Sequence, residues 1–342
     1  MFCNIEFKGL MDINLTKKIY ANISAIGGYV PENKRTNHDL ELITDTSDEW
    51  IVKRTGIKER RILDEGLATS DMAVNAIKNL IETYNKDIND VDAIIVATST
   101  PDMLMPSTAN IICGKLGIEN VWAFDINAAC SGFLYALDMG ASLVETNRYK
   151  NVLVVGADKI SAYVNINDRS TNILFGDGAG VVWLEPTKEV GVIDALLLSN
   201  GTGKEFLNIE GGGSLYPPSQ DSLEKEKTYI KQDGKVVFKN AINAMSHTCL
   251  DVLAKNHLSV SDINWLVPHQ ANKRIIDAVG KEINIEENKT LINIEHYGNT
   301  IAATIPLCIW ENTSKLKKGD LLMLTAFGAG FSWGASLLRW TI

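Results

Sequence analysis

One order of segments occurs twice along the 342 residues. In the first half an amphipathic stretch ending near "NKDINDVD" leads into the apolar run "AIIVAT" (93–98). "FDINAAC", a helix of small residues and "VLVVGAD" follow. In the second half "CLDVLAKNHLSVSD" leads into "INWLVPHQ" (263–270), then "LINIEHYGNT", a helix, and "LLMLTAFGAG". Cys130 lies 22 residues before Val152 and Asn299 lies 22 before Leu321, so spacing makes them equivalent points at two strand-to-helix junctions. The apolar runs at 93–98, 151–157, 263–268 and 320–326 suit strands covered on both faces. Amphipathic segments between them, such as 70–85 with Val74, Ile77, Leu80 and Tyr84 on one face and Ser70 as its expected cap, make this an α/β chain. The expected halves are residues 1–190 and 191–342, with 201–234, rich in Gly, Pro and charge, as a surface excursion of the second.

A duplicated sheet brings matching strand ends together, and α/β proteins place their sites there. Three such ends carry Cys130, His269 (in "VPHQAN") and Asn299 (in "HYGNT"). Alone, each has a plain structural reading: a packed thiol, a core imidazole, a helix cap. Together they are a nucleophile with an imidazole and an amide donor, a set suited to thioester chemistry. A cysteine at a helix start is expected to have a depressed pKa. Two glycine runs are decoys. "FGDGAG" (175–180) precedes a strand-like stretch where a dinucleotide fingerprint needs a helix, and "NGTGKEF" lacks the spacing of a phosphate loop.

Composition narrows the partners. A net charge of −9, from 33 Lys and Arg against 42 Asp and Glu, argues against general nucleic-acid binding. Five scattered cysteines without a CxxC pair or a His at ligand spacing argue against a disulfide framework or a metal site. Glu6, Lys8 and Asp12 interrupt the opening "MFCNIEFKGLMDINL", and no apolar run reaches membrane-spanning length. The expected location is cytoplasmic, away from any membrane.

"DINAACSGFLYAL", "VPHQANKRII", "HYGNTIAATIP" and "AFGAGFSWGA" resemble the motifs of the β-ketoacyl-acyl-carrier-protein synthase III family, from about residue 18 to the end. The resemblance implies a thiolase-like five-layered αβαβα fold and a homodimer. The N-terminal half would carry the nucleophile of a catalytic triad of Cys130, His269 and Asn299, and the C-terminal half the other two. It implies an acyltransferase that moves a primer from acyl-CoA to Cys130 and condenses it with malonyl-acyl-carrier protein, losing carbon dioxide. Acyl-CoA is then a substrate, with no cofactor and no metal. Backbone N–H groups of Cys130 and Ala329 would form an oxyanion hole, with Phe327 as a wall. Many relatives have glycine where Ala329 stands, and the donor survives there if φ is negative.

The entrance is assigned in the same way. Trp50 and Arg54 share a helical face and could sandwich an adenine; Thr46 and Glu49, at capping-box spacing, would open that helix and Gly56 would close it. The resemblance adds Thr46, Arg169, Phe238 and Asn272 as CoA-binding positions. Lys239, Lys273 and Arg274 would make a basic patch for the acidic carrier protein. Met105, in the loop "PDMLMPST" of a partner subunit, is the candidate floor of the acyl pocket. The rival reading is a CoA-dependent condensing enzyme of quinolone or polyketide type. A biosynthetic thiolase would need a second cysteine in "FGAGFSWG", elongating synthases use two histidines, and a non-catalytic relative would be expected to lack Cys130 or His269.

Overall fold

The apolar runs form strands of two mixed sheets, three of them inside a sheet and the run at 263–268 at the edge of the second. The computed structural model describes residues 19–342, so Cys3 and the opening stretch discussed above lie outside the described residues. The first sheet holds β1 (Tyr20–Tyr29), β2 (Ala93–Ala97), β3 (Trp122–Ile126), β4 (Val152–Asp158) and β5 (Gly178–Thr187), in the order β1-β5-β4-β2-β3. The second holds β6 (Val192–Ser199), β7 (Trp265–Pro268), β8 (Leu321–Gly328) and β9 (Ser332–Arg339), in the order β6-β9-β8-β7. Pairing directions agree as well. β1 to β5 and β5 to β4 are antiparallel, then β4 to β2 is parallel; β6 to β9 and β9 to β8 are antiparallel, then β8 to β7 is parallel. "FGDGAG" runs into β5, the strand expected there.

The copies differ at one edge. β3 pairs in parallel with β2 in the first sheet, whereas the place beside β7 holds only a single bridge between Leu266 and Thr290. "LINIEHYGNT" is therefore not a strand. It runs as extended chain and a short helix, Ile294–Tyr297.

Seven helices complete the frame: α1 (Asp48–Thr55), α2 (Thr69–Tyr84), α3 (Thr108–Leu116), α4 (Gly132–Glu145), α5 (Gly234–Lys255), α6 (Lys273–Glu282) and α7 (Thr304–Glu311). Side chains alternate across a strand. Ile94, Val96, Leu153 and Val155 accordingly face α2 and α3, meeting Ile77, Leu80 and Ile112. Their neighbours Ile95, Ala97, Val152 and Val154 face α4 and α7, meeting Phe133, Leu137 and Ile305. The same central helices touch Val267, Leu322 and Leu324 of the second sheet, whose far face packs on α5 and α6 through Met323, Leu337, Val252 and Val279. This is the five-layered αβαβα order of the thiolase fold. Each fully buried aliphatic side chain contributes about 1.5–3 kcal/mol, so the two sheets hold α4 and α7 firmly between them.

Two caps fall one or two residues from their expected places. Ser47, not Thr46, caps α1, its hydroxyl accepting from the Trp50 amide at 3.2 Å, while the Thr46 hydroxyl is buried without a partner. Gly56 closes α1 with φ 80° as expected. Helix α2 starts at Thr69, where the Asp71 carboxylate accepts from the Ala68 amide, and Ser70 turns its hydroxyl to Asp102.

The helix starts that carry the chemistry sit on glycines of the opposite half. A tight turn over Ala129–Ser131 leads into α4, and another over Ile301–Ala303 leads into α7. Each opens on a left-handed residue, Ala129 at φ 47° and Ile301 at φ 54°. The first turn rests on β8, where a Cβ at Gly328 would lie 2.7 Å from the Cys130 amide nitrogen. The second rests on β4, where a Cβ at Gly156 would lie 2.4 Å from the Ala302 carbonyl oxygen. Glycine is required at both seats. Cys130 is the second residue of its turn, and the matching residue is Ala302. Asn299 stands three positions earlier, so the equal spacing of Cys130 and Asn299 does not make them structural counterparts.

Candidate active site

A cavity of about 490 Å³ lies where the two turns meet, and Cys130, His269, Asn299, Phe327 and Ala329 all line it. It opens into a mouth of about 1160 Å³ lined by Trp50, Arg54, Arg169, Phe238, Asn272 and Arg274. Leu174, Gln232, Gly234, Phe238 and Asn272 border both spaces, so one leads into the other.

Cys130 is 7% exposed. Burial pushes its thiol up to about 12, with the Asp158 carboxylate adding to the effect and a backbone hydrogen bond working weakly against it. The depressed value expected of a helix start is thus overturned, because desolvation outweighs the backbone dipoles. Asp158, at the end of β4, accepts from the Ser99 amide (2.7 Å), the Thr100 and Thr98 hydroxyls (3.0 and 3.2 Å) and the Ala302 amide (3.0 Å). Full burial still lifts its carboxyl to about 7. It ties the loop after β2 to the turn before α7.

His269 follows β7, its amide donating to the Thr325 carbonyl at 2.8 Å. The buried ring is held neutral, its pKa pushed down to about 3 by desolvation. Nδ1 lies 2.6 Å from the Thr304 hydroxyl, and Nε2 has no hydrogen-bond partner in the chain. Asn299 is fixed by three bonds. Its amide donates to the Leu174 carbonyl (2.8 Å), its carbonyl accepts from Gly176 (3.1 Å), and its Oδ1 accepts from the Ile301 amide (2.9 Å). The side-chain NH₂ is left as the donor of this residue. Ala329 is not among the residues with positive φ, so its backbone meets the condition set for it.

At the mouth the Trp50 ring has the Arg54 guanidinium 5.4 Å from its centroid and that of Arg169 at 4.9 Å. Arg169 is anchored to the Asp45 carbonyl at 2.6 Å. Asn272 caps α6, accepting from the Arg274 amide and donating to the Arg54 carbonyl, which joins α6 to α1. Arg274 lies 5.4 Å over the Phe238 ring. Four other positions fall outside these linings. Thr46 is behind the cap, Lys273 pairs with Asp277 at 2.8 Å, and Lys239 is exposed. Met105 is 82% exposed and Leu104, its neighbour, reaches the cavity instead; within one chain Met105 is not a pocket floor.

Sequence reasoning missed Asp158, Thr304 and Gln270. Gln270 donates to the Pro268 carbonyl and accepts from the Asn293 and Ile294 amides, holding 291–294 beside β7. The available signal was a polar residue closing a fully apolar strand, as in "VLVVGAD". Among the described residues no group of acidic, His and Cys side chains could hold a metal ion, and no helix is long and apolar enough to cross a membrane.

Comparison with known proteins bears on this geometry. Residues 124–201 match the family model "3-Oxoacyl-[acyl-carrier-protein (ACP)] synthase III", and residues 253–340 match its C-terminal counterpart. The β-ketoacyl-[acyl-carrier-protein] synthase III 1 of Bacteroides thetaiotaomicron is 50% identical over 325 residues, 94% of this chain and 97% of that one. The chain belongs to the β-ketoacyl-acyl-carrier-protein synthase III family. A crystal structure of the synthase III from Aquifex aeolicus superposes with a TM-score of 0.87 at 42% identity, covering 94% of this chain and all of that one. The priming β-ketosynthase of the R1128 polyketide pathway is similar at 29% identity and a TM-score of 0.88, over 96% and 99% of the two chains. The two matched ranges of the synthase III models contain Cys130, His269, Asn299, Phe327 and Ala329, whereas α1 at the mouth lies outside both.

Proposed function

We propose that this protein is the condensing acyltransferase that starts a fatty-acid chain, joining an acyl-CoA primer to malonyl-acyl-carrier protein. The observation that carries the reading is the meeting of Cys130, His269 and Asn299 in one cavity behind an aromatic and cationic mouth. The Cys130 sulfur attacks the acyl-CoA carbonyl, and CoA leaves with the thiol proton, giving an acyl-cysteine. The malonyl thioester then enters and its carboxylate leaves as carbon dioxide. The freed electron pair moves onto the thioester oxygen as an enolate, whose charge is met by Nε2–H of neutral His269 and the NH₂ of Asn299. The enolate carbon attacks the acyl-cysteine, and the Cys130 sulfur departs as a thiolate that takes a proton from water and returns to the thiol. The N–H groups of Cys130 and Ala329 support the oxyanion of that step, with Phe327 excluding water. Each preorganised donor of this kind contributes about 10²–10³ in rate.

In this reading Trp50, Arg54, Arg169, Phe238 and Asn272 hold the CoA nucleotide and arm, with Thr46 behind them. Arg274, Lys239 and Lys273 meet the acidic carrier protein. Acyl-CoA is a substrate and no cofactor is required. The working form is a cytoplasmic homodimer, in which the Met105 loop of one copy closes the acyl pocket of the other. A division at 190/191 is supported by the second sheet beginning at Val192. The test is an incubation with malonyl-acyl-carrier protein and labelled acetyl-CoA, extended to longer and branched acyl-CoAs. A β-ketoacyl-carrier product is expected; product from malonyl-CoA alone would move the protein to the polyketide or quinolone class.

A further inference from the structure

We propose that Thr304 is a positioning residue: its hydroxyl donates to Nδ1 of His269 and so keeps the ring proton on Nε2, facing the substrate. The inference deepens the condensing reading above and rests on it. A neutral imidazole carries one N–H, on Nδ1 or Nε2, and the group bonded to one nitrogen decides the other. Burial keeps this ring neutral. Two arrangements fit the contact between Nδ1 and Oγ1 of Thr304. In one, Nδ1–H donates to the hydroxyl, whose own proton must go to the Ile301 carbonyl at 3.1 Å. In the other, the hydroxyl donates to bare Nδ1. The Ile301 carbonyl also accepts the Thr304 backbone amide, so it stays hydrogen-bonded when the hydroxyl turns to the ring. The separation of 2.6 Å belongs to the range of O–H donors, while N–H donors sit nearer 2.9–3.0 Å. The short separation favours the second arrangement, and Nε2, without a partner in the chain, then presents a hydrogen.

The placement follows from the turn beneath. The Ile301 amide orients Asn299, the Ala302 amide is held by Asp158, and Thr304 opens α7 directly after. One turn therefore aims both donors.

The test uses ¹⁵N-histidine-labelled protein, with the His269 signals among five histidines assigned by their loss in His269→Gln. The wild type is expected to show Nε2 protonated and Nδ1 as a hydrogen-bonded acceptor. Condensation by Thr304→Val should fall about ten- to a hundredfold, the usual cost of losing an outer partner that orients an imidazole. Acyl transfer to Cys130 should persist, and Thr304→Ser should restore condensation. A proton on Nδ1 in the wild type, or wild-type condensation by a folded Thr304→Val protein, overturns the assignment. The wild-type spectrum decides even if the valine variant does not fold. Failure of the wild type to condense any malonyl thioester would instead overturn the reading on which the inference rests, and the spectrum would then fix a tautomer with no role in condensation.

Discussion

Replacing Gly156 by alanine separates the two half-reactions. The new Cβ would lie 2.4 Å from the Ala302 carbonyl oxygen and 2.9 Å from its carbon, where ordinary contact begins at 3.4 Å. Neither atom can rotate away, since both are backbone, so the Ile301–Ala303 turn must retreat by about 1 Å. Overpacking of this kind costs about 1–3 kcal/mol. The turn carries the amide that aims Asn299, and it leads into Thr304 beside His269. A misplacement of about 1 Å at catalytic groups costs about 10² in rate. Cys130 sits on the other seat, Gly328, and is not among the neighbours that the new Cβ meets. Mass spectrometry of the acyl-enzyme should therefore show Gly156→Ala loading Cys130 near the wild-type rate. The pre-acylated variant should condense about a hundredfold more slowly. Gly328→Ala, whose Cβ would meet the Cys130 amide at 2.7 Å, should lose the loading step itself. Loading slowed as much as condensation in a folded Gly156→Ala protein would refute the idea that the two seats act separately.

Three further outcomes are expected. Trp50→Ala should raise KM for acyl-CoA several-fold while leaving transfer from an acyl-pantetheine, which lacks the nucleotide, nearly unchanged; equal loss on both donors with a sharp fall in Tm would mean that the indole is core. With its thiol near pKa 12, Cys130 should be alkylated by iodoacetamide about tenfold faster for each pH unit from 7 to 10, and a plateau near neutrality would disprove that value. His269 binds its proton near pH 3 when folded and near 6.5 when unfolded, so it withdraws stability as pH falls through that window. In urea melts His269→Gln should gain on the wild type by on the order of 1 kcal/mol per pH unit below 6.5; Asp158 acts in the opposite sense in both proteins and drops out of the difference.

The strands were legible where a run was apolar throughout. Ala93–Ala97, Val152–Asp158, Trp265–Pro268 and Leu321–Gly328 lie within a few residues of their expected limits because both faces of each are covered. The segment after Leu291 misled for the same reason: its apolar residues are buried, but against helices and the first half rather than in a sheet. Residue spacing could not place the counterpart of Cys130, because α4 has 14 residues and α7 has 8. The three residues at the centre of the site were readable as types suited to one chemistry. Their protonation was not, since enclosure, which sets the thiol and the imidazole alike, belongs to the assembled layers and not to any local motif.

The missing strand beside β7 also bears on stoichiometry. The residues that would have filled it are stitched to the first half instead, through Lys58 to the Glu295 carbonyl and side chain and through Asn299 to Leu174 and Gly176. That flank of the second sheet is spent. On the first sheet the corresponding flank is β3, paired on one side only, with Trp122 41% exposed. An open edge invites a further strand. Were the homodimer proposed above to form at this edge, it would bring the same strand, turned about a twofold axis, and consume both edges at once. Growth along this direction would then end at two chains, because the flank beside β7 is already taken up by the first half and offers no second edge there.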